Sequence, residues 1–212
     1  MAKRATARRF PVIMTADEIV NAQHHAMASR LDRTVFDGVN ADESLFDMFE
    51  RGVSGETTDQ VNTRLPVVLD KDGPFDIVII LGGTNDLGVP LDKNGEPLFR
   101  RLRSLHELAL QHSPLSVAVT IPETGYETVD EYTVVREKRL QVNALLKNFV
   151  QQHGDRMLLS DLATKLPPES LSDEDRRTFW ADHLHFSLAG YDRMGATIFE
   201  DIRHRLTETL DT

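Results

Sequence analysis

The sequence predicts an α/β protein with a doubly wound parallel sheet in three layers, and three observations carry that expectation. Ile77–Leu81 is an unbroken apolar run, Leu115–Ile121 reads as a second buried strand, and stretches of helical period separate and follow them. A strand covered by helices on both faces has no polar side to show, so it reads as continuous rather than alternating hydrophobicity. Strand and helix in alternation along one chain is the pattern of this fold class.

The elements follow in order. Phe10–Met14 is a candidate first strand, His24–Leu31 looks helical, and Phe36–Phe49 is acidic and ambiguous. Val61–Leu69 spaces its apolar residues as a helix does. Gly82 and Gly83 end the Ile77–Leu81 strand, and Leu98, Leu102, Leu105 and Leu108 predict a helix over about Pro97–Gln111. Pro122 closes the Leu115–Ile121 strand, and Val142, Leu145, Leu146, Phe149 and Val150 mark a helix ending near Gly154. Met157–Leu159 is a short strand, and a polar irregular stretch runs from Ala163 to about Asp182. Ser187 is a candidate N-cap for a last helix that buries Leu188, Tyr191, Met194, Ile198 and Ile202.

The chain has 212 residues, 40% hydrophobic and 27% charged, which fits one globular domain. Its net charge of −10 argues against a nucleic-acid partner, which requires a concentrated basic face. There is no cysteine, so disulfides, thiolate catalysis and Cys-type zinc sites are excluded. Ile77–Gly83, the longest near-apolar run, falls far short of the ~20 residues of a membrane span. The basic stretch Met1–Arg9 is followed only by Phe10–Met14 before Asp17 and Glu18, too short an apolar region for a secretory signal. The expectation is a cytoplasmic protein, with an organelle transit peptide as the alternative.

Ligands of such sheets bind beyond the carboxyl ends of the strands, so the segments after strands are where chemistry is sought. Gly82-Gly83-Thr84-Asn85-Asp86 follows a buried strand and offers the two N–H donors of the Asn85 amide; an ordinary strand-ending turn has the same composition. Gly52-Val53-Ser54-Gly55-Glu56-Thr57-Thr58 can present backbone N–H groups to an anion, or can simply cap the helix after it. In Asp182-His183-Leu184-His185, an Asp three residues before a His can bond its Nδ1–H, fix the tautomer and leave Nε2 as a base. A metal held by His183, His185 and Asp182, or a purely structural histidine pair, are the alternatives. No further ligand cluster is evident beyond His24 and His25, and the expectation is no metal.

Together these segments resemble the SGNH (GDSL-type) hydrolase family. Arg51–Thr58 looks like its second block, with Gly55 as the glycine; Leu81–Asp86 is similar to its third, with Asn85 as the asparagine; Asp182–His185 resembles its fifth. The resemblance implies a flavodoxin-like SGNH hydrolase fold in a single domain. Residues 22–212 would form the hydrolase-like body, and residues 1–21 an N-terminal segment holding the first strand. It also implies hydrolysis of a carboxylic ester or thioester without metal or organic cofactor. His185 would be the base, Asp182 its partner, and Gly55 N–H with the Asn85 amide the oxyanion hole.

The family's first block, Gly-Asp-Ser-Leu after strand one, has no counterpart. The chain there reads Thr15-Ala16-Asp17-Glu18. Thr15 lacks the glycine and is β-branched, Ser44 in Asp42-Glu43-Ser44-Leu45 stands too near Ser54, Ser29 belongs to a predicted helix, and Ser54 belongs to the second block. The nucleophile is therefore unknown. Three explanations stand: unrelated residues replace the true first block, the chain is an inactive protein that binds an acyl or carbohydrate ester, or Thr15 is a weak nucleophile. A nucleotide-binding α/β protein is disfavoured, since neither glycine-rich phosphate motif is present.

Overall fold

The computed structural model describes residues 8–14, 46–89, 92, 94–128, 133–166 and 172–210. Five strands form one parallel sheet: β1 (Arg8–Met14), β2 (Phe46–Glu50), β3 (Ile77–Leu81), β4 (Leu115–Val119) and β5 (Met157–Ser160), in the order β2-β1-β3-β4-β5. This is a doubly wound order, and its switch point lies between β1 and β3. Register fixes which ends meet: Met14 pairs with Leu81 at the carboxyl edge, whereas Phe46 opens β2 opposite Arg8 at the other edge.

The helices among the described residues are α1 (Thr58–Asp72), α2 (Thr84–Leu87), α3 (Glu96–His112), α4 (Thr133–Gln152), α5 (Leu162–Lys165), α6 (Asp173–Phe179) and α7 (Leu188–Leu210). All five residues of β3 are buried, as are all five of β4. Successive strand residues face opposite ways, and the core divides accordingly. Ile77, Ile79 and Leu81 pack with Tyr191, Met194, Ile198 and Ile202 of α7. Val78 and Ile80 pack with Val61, Leu65 and Leu69 of α1 and with Leu98, Leu102 and Leu105 of α3. The three layers follow directly from this alternation.

Differences from the sequence expectations are local. β4 ends at Val119: Thr120 N–H still bonds the Ser160 carbonyl of β5, but Ile121 N–H turns to the Asn143 side chain. The stretch expected to be irregular contains α5 and α6, too short to show a helical period. Ser187 Oγ does accept from Gly190 N–H at 3.1 Å, as an N-cap should, but Leu188 is exposed rather than buried. It lies in the first turn of α7, before the helix reaches the sheet. Phe46–Glu50 proves to be an edge strand; the expected helix at 24–31 and residues 36–45 lie outside the described residues.

Candidate active site

Two pairs of groups form, each from a predicted segment. In the first, β3 runs into Gly82-Gly83 and then α2. Gly83 has φ +107°, and a Cβ there would lie 2.9 Å from Ile121 Cδ1, so both conformation and space require glycine. The turn delivers Asn85, whose Nδ2 donates to the Glu56 carbonyl at 3.0 Å. One amide N–H is thereby engaged, and the amide carries a second. Glu56 is the neighbour of Gly55, which is left-handed at φ +74° and whose N–H makes no hydrogen bond among the described residues. Gly55 and Asn85 are thus brought together.

Sequence reasoning missed what fixes this pair. Asp86, 2% exposed, accepts from Thr58 N–H at 2.9 Å and from the Thr58 hydroxyl at 2.6 Å, tying α2 to the first turn of α1. Arg101 on α3 donates from Nε to Thr58 Oγ1 at 2.9 Å, and its guanidinium stands 3.3 Å from Asp86 and 2.6 Å from Asp92. Burial raises the Asp86 pKa above its ordinary value, against the hydrogen bonds from Thr58 and the charge of Arg101. Lys138 of α4, also buried, donates to the carbonyls of Leu87 and Val89 and so secures the far end of the same turn. The Asp in Asn85-Asp86 was the available signal, since an acid there can reach a neighbouring helix N-terminus.

The second pair stands on the loop between α6 and α7. Trp180 and Phe186 form an isolated antiparallel bridge with stacked rings, 4.2 Å between centroids, and Ala181 N–H bonds the His185 carbonyl at 2.8 Å. Within that closed loop Asp182 Oδ1 accepts from the N–H groups of Leu184 and His185, each at 2.7 Å. Asp182 Oδ2 meets His185 Nδ1 at 2.7 Å. An ionised carboxylate can only accept, so Nδ1 carries the proton and Nε2 is left as the acceptor. Nε2 is buried and has no hydrogen-bond partner among the described residues. Partial burial pushes the Asp182 carboxyl up, but the bonds from the His185 ring and from the His185 and Leu184 N–H groups outweigh it and hold its pKa at about 2.

Both pairs share one edge of the sheet. Ile121, just past β4, fills the space above Gly83; four residues on, Gly125 N–H bonds the His183 carbonyl at 2.6 Å. The His183 ring lies against Tyr126, 5.8 Å between centroids, while the His185 ring is turned to Asp182. No group of three or more His, Cys, Asp or Glu able to hold a metal occurs among the described residues. Thr15, Ser29 and Ser44 lie outside the described residues, and Ser54 is exposed.

Comparison with known proteins agrees with the architecture. The chain is similar to the lipase/acylhydrolase of Enterococcus faecalis, with 22% identity over 93% of this chain and 96% of that one and a TM-score of 0.68. It is also similar to the M. smegmatis aryl esterase (17% identity, 93% and 99% covered, TM-score 0.68). A carbohydrate acetylesterase from Sinorhizobium meliloti is a further neighbour (17%, 93% and 99%, TM-score 0.65). At these identities the likeness shows the fold. A comparison with curated protein sequences gives no significant match. Residues 15–193 match the GDSL-like Lipase/Acylhydrolase family, and the chain belongs to it.

Proposed function

We propose that the chain carries the acyl-transfer machinery of an ester or thioester hydrolase of the Ser-His-Asp type, without that family's usual serine. The observation that supports this most is His185: Nδ1 is held by a carboxylate at 2.7 Å, and Nε2 is buried and has no partner among the described residues. A solvated structural histidine has no need of such an arrangement; a general base does.

His185 takes the proton of an attacking hydroxyl and returns it to the leaving alcohol or thiol, while Asp182 orients the ring and stabilises the imidazolium. Gly55 N–H and the second Asn85 N–H bind the oxyanion of the tetrahedral intermediate; one such donor contributes about 3–4 kcal/mol. Neighbouring structures include an aryl esterase and a carbohydrate acetylesterase, so small aryl and acetyl esters are the first substrates to try.

The absent Gly-Asp-Ser-Leu favours a second reading, a protein that binds an acyl or carbohydrate ester without turning it over. Steady-state hydrolysis of nitrophenyl acetate, with fluorophosphonate labelling and mass mapping, separates the two. The hydrolase reading expects turnover far below the ordinary ~10 per second, lost on His185→Ala, and slow labelling of a single hydroxyl. Hydrolysis indifferent to His185→Ala would overturn it. Ester binding with neither turnover nor label would favour the binding reading.

A further inference from the structure

One buried ion-pair cluster is not used by this chemistry. Arg139 on α4 is 3% exposed, and its guanidinium lies 2.8 Å from Glu127 and 3.4 Å from Glu123. Both glutamates are buried and belong to the segment between β4 and α4. Glu127 also accepts from Thr124 N–H at 3.2 Å, closing the loop on itself. One turn further along α4, Asn143 pairs with the backbone of Ile121 in both directions, each bond 2.9 Å. Helix α4 therefore grips residues 121–127 at both ends.

What that segment touches is the Asp182–His185 loop. Gly125 N–H donates to the His183 carbonyl at 2.6 Å, and a Cβ on Gly125 would lie 2.9 Å from His183 Nδ1 and 3.2 Å from its Cα and carbonyl oxygen. Backbone lies close against backbone here, at a spacing a side chain could enter only by displacing His183. His183 stands between Asp182 and the Leu184 and His185 N–H groups that Asp182 accepts.

We propose that Arg139 and Glu127 are positioning residues for the Asp182–His185 pair, acting through the 121–127 segment and its contact at Gly125. A buried charge cluster is a poor means of adding stability, because desolvation offsets most of its attraction. It is a good means of holding one geometry, since a planar guanidinium facing a carboxylate permits little else. Here the geometry held is the platform on which the base's loop rests. The proposal builds on the reading of His185 as a base held by Asp182, but its readouts do not require turnover.

The test uses the full chain and three variants: the neutral pair Arg139→Met with Glu127→Gln, the conservative Arg139→Lys, and Gly125→Ala. Folding is followed by circular dichroism and by the emission of Trp180, the single tryptophan, at the base of the loop. The readouts are the Asp182 carboxyl pKa from carbon-13 NMR and the low-field proton signal of His185 Nδ1–H. In the native chain Asp182 should titrate at about 2. In the folded neutral pair and in Gly125→Ala it should move toward its unperturbed ~3.9, nearly a hundredfold change in proton affinity, and the Nδ1–H signal should broaden. Arg139→Lys should fall between. If the neutral pair fails to fold, Arg139→Lys and Gly125→Ala decide by the same readouts. A folded set in which Asp182 and the Nδ1–H signal are unchanged would overturn the proposal, as would a change seen in Gly125→Ala but in neither Arg139 variant. Altered NMR readouts in a protein with no His185-dependent hydrolysis would uphold the clamp and reject only the hydrolase reading.

Discussion

The two sides of the site are built by different means. Asn85 rides on a short turn whose anchoring bonds are buried or half-buried: Asp86 bonded to Thr58, Arg101 bonded to both through Thr58 Oγ1 and its charge, Lys138 closing the far end. His185 rides on a loop whose key acid, Asp182, is 45% exposed at its side chain and is held by bonds within four residues, over an apolar stack of Trp180 and Phe186. The difference matches the two roles proposed for them. Oxyanion donors act only if they are in place before charge develops, so their support must be rigid. A base must accept and release a proton, and a carboxylate left partly in water can steady either charge state of its imidazole.

The contrast can be broken most sharply by deleting each acid in turn. Asp86→Ala leaves Arg101 and the Thr58 N–H short of a partner and should lower stability by about 3–5 kcal/mol in urea unfolding, the usual loss when one half of a buried pair is removed. Asp182→Ala, on the exposed side, should cost clearly less by the same measurement, because water can take over the bonds of a partly solvated carboxylate. Equal losses would mean that the two supports are not different in kind.

The smallest effect is an order of titration. Burial raises the Asp86 carboxyl, while its bonds hold Asp182 at about 2, so on acidification Asp86 should protonate first and Asp182 last, read by carbon-13 shifts. The signs differ. The depressed Asp182 contributes stability that is full above the unfolded pKa near 4 and is lost as pH falls toward about 2. The raised Asp86 takes up its proton more readily folded than unfolded, so its titration favours the folded chain as pH falls from its raised folded pKa to the unfolded value near 4. The reverse order would show that the buried turn is open to water.

Which parts could be read from the sequence follows from how each signal arises. β3 and β4 are legible because a strand covered on both faces is mostly apolar, Ser116 being the one polar residue of the two. Asn85 beside the Gly55–Glu56 turn is expected only from the family resemblance, since Asn85 and Glu56 lie 29 positions apart. Asp182 with His185 is legible because both sit within four residues. β2 is not, because Phe46-Asp47-Met48-Phe49-Glu50 is an edge strand carrying acids. Arg139 with Glu127 and Arg101 with Asp86 are not either: each joins residues 12 or more positions apart, and a charged residue in a helix pattern reads as solvent-facing until the fold buries it. The segment Pro122–Tyr126 follows β4 and could have been searched by the same strand-end rule that found Asn85.

If the site is complete but for its nucleophile, β1 supplies the place to restore one. Met14 ends that strand opposite Leu81, at the edge where Gly82 and Gly83 lead to Asn85. Replacing Thr15-Ala16-Asp17-Glu18 by Gly-Asp-Ser-Leu, with folding checked by circular dichroism, should raise nitrophenyl acetate hydrolysis by several orders of magnitude, since removing a triad nucleophile can cost about 10⁶-fold. That gain should vanish on His185→Ala and fall about 10²–10³-fold on Asn85→Ala, the effect of one lost oxyanion donor. A well-folded graft that stays inert, or whose rate ignores His185, would mean that these groups do not form a working site.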